Sequence, residues 1–156
     1  MNVLGMPAGV GEPVFDKLDA SLAKAVMSIG AVKGVEIGDG FSVTSSKGSI
    51  NNDSFISENG QVLKQTNHSG GILGGISDGS SIILRAAIKP TPSISQPQKT
   101  VNTAGENIEI AISGRHDPVI VPRAVVVVES MAAITLTDLL MQNMTSRIEY
   151  LKNIYL

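Results

Sequence analysis

Residues 69–76 read Ser69-Gly70-Gly71-Ile72-Leu73-Gly74-Gly75-Ile76, four glycines within six positions around two aliphatics. Neither a helix nor a long regular strand propagates through such a run, because each interior glycine costs roughly 0.5–1 kcal/mol relative to alanine. Glycine is retained where a side chain would collide. The run therefore predicts either a tight crossing of backbones or a face open to close approach by a flat ligand, and the residues alone leave the two readings even. Its two-glycine spacing also suits a phosphate-cradling loop. Ile76-Ser77 stands where a Lys–Ser/Thr pair must follow, so the nucleoside-triphosphatase reading fails.

The flanking sequence sets the fold class. Glu12-Pro13 puts proline at a first helical position, and Phe15, Leu18, Leu22, Ala25, Val26 and Ile29 follow at three/four spacing. This predicts a helix over 13–29, stopped by Gly30. Short strands are expected over 31–38, 41–44, 81–88 and 107–112, with loops over 45–67 and 94–106. The last segment is ambiguous, since Val125 to Val128 favour a strand while Ala124, Ala132, Ala133, Leu136, Leu139, Leu140 and Met144 step at helical spacing. About thirty residues without a turn signal suit a long helix starting near Pro122. The expected class is α+β, helices packed against antiparallel sheet, with residues 1–156 forming one domain.

Composition narrows function mostly by exclusion. Twelve basic and 14 acidic residues give a net charge of −2, which leaves no electrostatic footprint for nucleic acid. The chain has no cysteine, which removes disulfides, thiolate metal sites and cysteine nucleophiles. His68 and His116 are the only histidines and lack acidic co-ligands at metal spacing, so no metal is expected. The most apolar stretch, Val119 to Leu140, is interrupted by Pro122, Arg123, Glu129 and Asp138 and is not expected to cross a membrane. Nothing in the first thirteen residues has the pattern of a secretory signal, and a cytoplasmic location is the default. Charged residues make up only 17% of the chain, a thin solvated skin that points to contact with other protein.

Two further clusters could carry chemistry. Lys89-Pro90-Thr91-Pro92-Ser93 follows a predicted strand and joins one cation, two hydroxyls and two backbone-fixing prolines. It reads as an anion site or, more often for such a segment taken alone, as an exposed loop with a solvated lysine. Gly114-Arg115-His116-Asp117-Pro118 compresses a guanidinium, an imidazole and a carboxylate into one turn. Arg115 could clamp an anion and Asp117 could exchange a proton, or the turn could be a salt-bridged surface feature.

Taken together and in order, these segments resemble the second half of the chorismate synthase family. The resemblance also takes in Gly11-Glu12-Pro13-Val14-Phe15-Asp16-Lys17-Leu18-Asp19-Ala20 and Gly30-Ala31-Val32-Lys33-Gly34-Val35-Glu36-Ile37-Gly38-Asp39-Gly40-Phe41. Asn67-His68 ahead of the glycine run and Arg123-Ala124 belong to it as well. It runs from about residue 5 to 140 and implies a fold of helices packed between antiparallel sheets. It implies a homotetrameric lyase that converts 5-enolpyruvylshikimate-3-phosphate to chorismate and phosphate with reduced FMN, NADPH being a source of reducing power in some members. FMN contacts would fall on Gly30, Ala31, Gly74, Lys89, Pro90, Thr91, Pro92, Ser93 and Arg115, and Asp117 would handle a proton beside the flavin. Gly30 departs from the asparagine many relatives carry. The active-site histidines and several arginines of the family's first half have no counterpart here, so the chain is expected to be a C-terminal portion that is inactive alone. The alternative is a non-catalytic module for flavin binding or subunit association.

Overall fold

The computed structural model describes residues 1–114, 117–146 and 148–155. In chain order the elements are β1 (Asn2–Val3), α1 (Leu18–Met27), β2 (Val32–Ile37), a 3-10 helix (Gly40–Ser45), α2 (Gly48–Asn51), β3 (Phe55–Glu58), β4 (Gln61–Lys64), β5 (Ile72–Leu73), β6 (Ile76–Ser77), β7 (Ile82–Ile88), β8 (Gln98–Val101), β9 (Asn107–Ile110), α3 (Val121–Asn143) and α4 (Ile148–Tyr155). The class is α+β, as the periodicities predict.

The core rests on β7, which pairs antiparallel with β1 on one side and β2 on the other. Val35 faces Ala86 and Ile37 faces Leu84 in the β2–β7 ladder, with a bulge between Val32 and Gly34. Leu18, Leu22 and Val26, one face of α1 at four-residue steps, are fully buried against Val32, Ile82 and Leu84. α3 packs against α1 and adds Val128, Ala132, Leu136 and Leu139, again one helical stripe, to the same core. α3 is long and apolar enough to cross a membrane by length and composition alone. Its Val128–Leu139 stripe is nevertheless part of this core.

Four expectations are corrected. The first helix begins at Leu18, not at residue 13, because Glu12 and Asp16 close a turn through an N–H···O=C bond of 3.0 Å and Leu18 gives its N–H to Gly75 at 2.8 Å. Phe15, counted in the helical spacing, is exposed. Phe41–Thr44 lies in the 3-10 helix; its alternation is that of an exposed segment whose N-terminal N–H, on Phe41, is taken by Glu36 at 2.9 Å. The stretch 45–67 contains α2 and the β3–β4 hairpin. Asn59 and Gly60, both at positive φ (51° and 78°), form its two-residue turn. Finally, residues 98–101 of the expected second loop pair with β9.

Candidate functional site

The segment after β7 is pinned from two directions. The Lys89 N–H donates to the Ala31 carbonyl at 2.8 Å, so Lys89 leaves the sheet beside the α1–β2 turn. Further on, the Gln98 side-chain amide donates to the Pro92 carbonyl at 2.8 Å, and the Ile112 N–H to Ile94 at 3.3 Å. These bonds fold the β8–β9 hairpin back and bring the start of the Gly114–Pro118 turn against the Lys89–Ser93 segment. Between them lies a cleft of about 290 Å³, lined by Thr91, Ser93, Ser95, Gly114, Asp117 and others. Two clusters that stand more than twenty residues apart in sequence share one cleft.

Its polar groups are unequally occupied. The Thr91 hydroxyl is buried without a hydrogen-bond partner among the described residues. Burying such a group unpaired costs about 1–3 kcal/mol, so it marks a place where a ligand atom would be favourable. Asp117 is paired with Arg123, with Nη1 2.9 Å from Oδ2. Arg115 lies outside the described residues.

The glycine run divides between its two readings. A Cβ on Gly70 would strike the backbone of Gly38, one on Gly71 would meet the Ser81 carbonyl at 2.6 Å, and one on Gly75 would enter the Lys17 side chain. These three serve close packing. Gly74 differs: it sits exposed at the β5–β6 turn with open space where its Cβ would project. Gly30 has the same open surroundings, and Ala31 beside it holds φ at +71°. The structure therefore joins Ala31 to Lys89 and Thr91 to Ser93 and Asp117, while Gly74 stands on a hairpin tied to α1 through the Leu18–Gly75 bond.

The profile of the chorismate synthase family matches residues 1–141 of the chain. The chain belongs to that family. Chorismate synthase of Lachnoclostridium phytofermentans is 68% identical over 154 residues, covering 98% of this chain and 42% of its own length. That of Methanococcoides burtonii is 61% identical over 136 residues, 86% of this chain and 37% of its own. A crystal structure of chorismate synthase superposes with a TM-score of 0.72 at 34% identity, over 90% of this chain and 36% of that one. The chain spans about two fifths of the length of the curated chorismate synthases named here.

FMN, the cofactor a chorismate synthase implies, can be tested against these residues. An unpaired buried hydroxyl at Thr91, with Ser93 in the same cleft and Lys89 two residues away in the chain, suits an anionic tail. The donor set fits.

A second polar cluster was not foreseen. Lys64, at the end of β4, is buried between Asp53 at 3.2 Å and Asp78 at 2.7 Å. Asp53 also accepts from the Thr66 hydroxyl (2.8 Å), the His68 N–H (2.7 Å), and the N–H (3.0 Å) and hydroxyl (2.7 Å) of Ser69. Burial by itself would raise the Asp53 carboxyl, but the bonds from Ser69, His68 and Thr66 outweigh it and hold it well below the usual carboxylate range. Asp78 is likewise lowered, burial being overcome by Lys64 and Ser80. This cluster latches the β3–β4 hairpin onto the loop ahead of the glycine run. His68 is engaged by Asp39, its Nδ1 2.6 Å from Oδ2.

Proposed function

We propose that this chain takes part in the chorismate synthase reaction, the loss of phosphate and a proton across a 1,4 relationship in 5-enolpyruvylshikimate-3-phosphate, with anti geometry. Its contribution is the flavin-binding wall. Reduced FMN, when bound, supplies transient electron density that helps the phosphate depart, with no net redox change. In this reading the Thr91 and Ser93 hydroxyls and the Lys89 ammonium hold an anionic oxygen, and Pro90 and Pro92 keep that segment from adapting to other shapes. Gly30, Ala31 and Gly74 offer backbone surface to the ring, and Arg115 adds a permanent cation. The Asp117 carboxylate accepts or returns a proton at its oxygens. The observation that carries the reading is the meeting of Thr91, Ser93 and Asp117 in one cleft, on a chain of this family.

The same reading makes the working protein a cytoplasmic homo-oligomer, tetrameric as in the family, and the low share of charged residues, 17%, supports association. Because the chain covers 42% of its Lachnoclostridium relative, the decisive assay uses a chimera in which these residues replace the matching stretch of that enzyme. Chorismate formation with photoreduced FMN is expected. A folded chimera that binds FMN yet forms no chorismate would overturn the proposal.

A further inference from the structure

Arg123 stands in the first turn of α3, where the helix dipole disfavours a cation, and no acidic residue shares that turn. The charge that compensates it comes from outside the helix: Asp117 Oδ2, 2.9 Å from Arg123 Nη1. The two residues have different mechanical settings. α3 is fixed to α1 by Val128, Ala132, Leu136 and Leu139, whereas Asp117 lies in the irregular segment between β9 and α3. Across the cleft, Thr91 and Ser93 are fixed through the Lys89–Ala31 and Gln98–Pro92 bonds.

We infer that Arg123 is a positioning residue, which ties the Asp117 carboxylate to the rigid start of α3 and so sets where it stands relative to Thr91 and Ser93. The function of the tie rests on the flavin-site reading, but the tie itself is a property of the free chain. Arg123 is 79% exposed and does not line the cleft, so it acts through Asp117 and not on a bound anion. An exposed ion pair adds little to global stability. Its effect is on the order of one side chain.

That order can be read without cofactor. Three-bond couplings from Hα to Hβ and from backbone nitrogen to Cγ report the χ1 rotamer of Asp117 in the 156-residue chain. One dominant rotamer is expected in the wild type, averaged couplings in Arg123→Ala, and partial recovery in Arg123→Lys, which keeps the charge without the fork. Averaging already present in the wild type, or an unchanged single rotamer in Arg123→Ala, would overturn the inference.

A second arm uses the chimera. Arg123→Ala should lower kcat about three- to tenfold with KM and FMN affinity within about twofold, and should add nothing in an Asp117→Asn background. A tenfold loss of FMN or substrate affinity with kcat retained would make Arg123 a direct anion ligand and overturn the positioning role. Absence of turnover in the wild-type chimera counts against the flavin-site reading alone, and the couplings still decide the tie.

Discussion

Lys89 extends the β2–β7 ladder by one bond beyond the Val32–Ile88 pair, its N–H meeting the Ala31 carbonyl at 2.8 Å. Ala31 reaches that bond with φ at +71°, a conformation that costs a non-glycine residue roughly 1–2 kcal/mol. The strain is sustained by the ladder on one side and α1 on the other. Two segments that the family resemblance assigns to the same cofactor are thereby held at one end of the sheet.

Thr91→Val is expected to separate binding from folding. The substitution keeps the shape and removes a buried hydroxyl that has no partner among the described residues. Stability should hold or rise by up to about 1 kcal/mol, because the desolvated hydroxyl is gone. FMN affinity of the chimera should fall about tenfold or more, the equivalent of one hydrogen bond to a charged group. Urea denaturation and flavin fluorescence titration measure the two effects, and a drop in stability with unchanged affinity would count against the assignment.

The glycines should respond according to what surrounds them. Gly70→Ala drives a methyl into the backbone of Gly38 and is expected to cost more than about 3 kcal/mol or to prevent folding. Gly74→Ala meets open space and bears only the left-handed backbone penalty at φ +60°, about 1–2 kcal/mol. Thermal unfolding of the two variants tests the contrast. In the chimera, Gly74→Ala should weaken FMN more than it weakens the fold.

The Asp53–Lys64–Asp78 latch predicts how stability depends on pH. Both carboxyls titrate below their ordinary value in the folded chain. Their stabilisation is therefore complete above the unfolded pKa of about 3.9 and is lost as pH falls through the depressed folded values. The urea midpoint should be flat from about pH 7 to 5 and should drop steeply below about pH 4. Asp53→Asn should lower stability at neutral pH by at least about 1.5–3 kcal/mol and flatten the acid limb. A wild-type midpoint that stays level down to about pH 2 would contradict this.

The 156-residue chain by itself is expected to form no chorismate, since removing part of a set of groups that act together loses catalysis multiplicatively. In the chimera, Asp117→Asn keeps shape and hydrogen bonding but removes the proton acceptor, and turnover should fall at least about tenfold with oxidised-FMN affinity little changed. Normal turnover in that variant would reduce Asp117 to a structural member of its turn.

The helical cores were legible because a buried stripe writes itself at fixed spacing: Leu18, Leu22 and Val26, then Ala132, Leu136 and Leu139, whereas Val128 of the same stripe sits in a valine run that favours a strand. The hairpin at residues 55–64 was missed although Asn59-Gly60 is a strong two-residue turn signal. Its strands are mostly exposed, so no alternating apolar face announced them. Lys64 gave no warning either, since a buried lysine looks like any other until its two carboxylates arrive from residues 53 and 78. For the cleft, each cluster could be found locally, but their meeting depends on the Gln98–Pro92 bond and the β8–β9 fold-back, which periodicity does not encode. Motif order from about residue 5 to 140 pointed to the family where spacing alone did not.

α3 has one stripe committed to the core, and elsewhere on its surface Val125, Val126, Ile134 and Met141 are exposed. A chain with a net charge of −2 has almost no long-range repulsion with which to keep copies apart. Its colloidal behaviour is therefore expected to follow short-range attraction between exposed apolar patches, that helix among them. Added salt, which screens what little repulsion exists and strengthens apolar contact, should narrow the concentration range in which it stays dispersed.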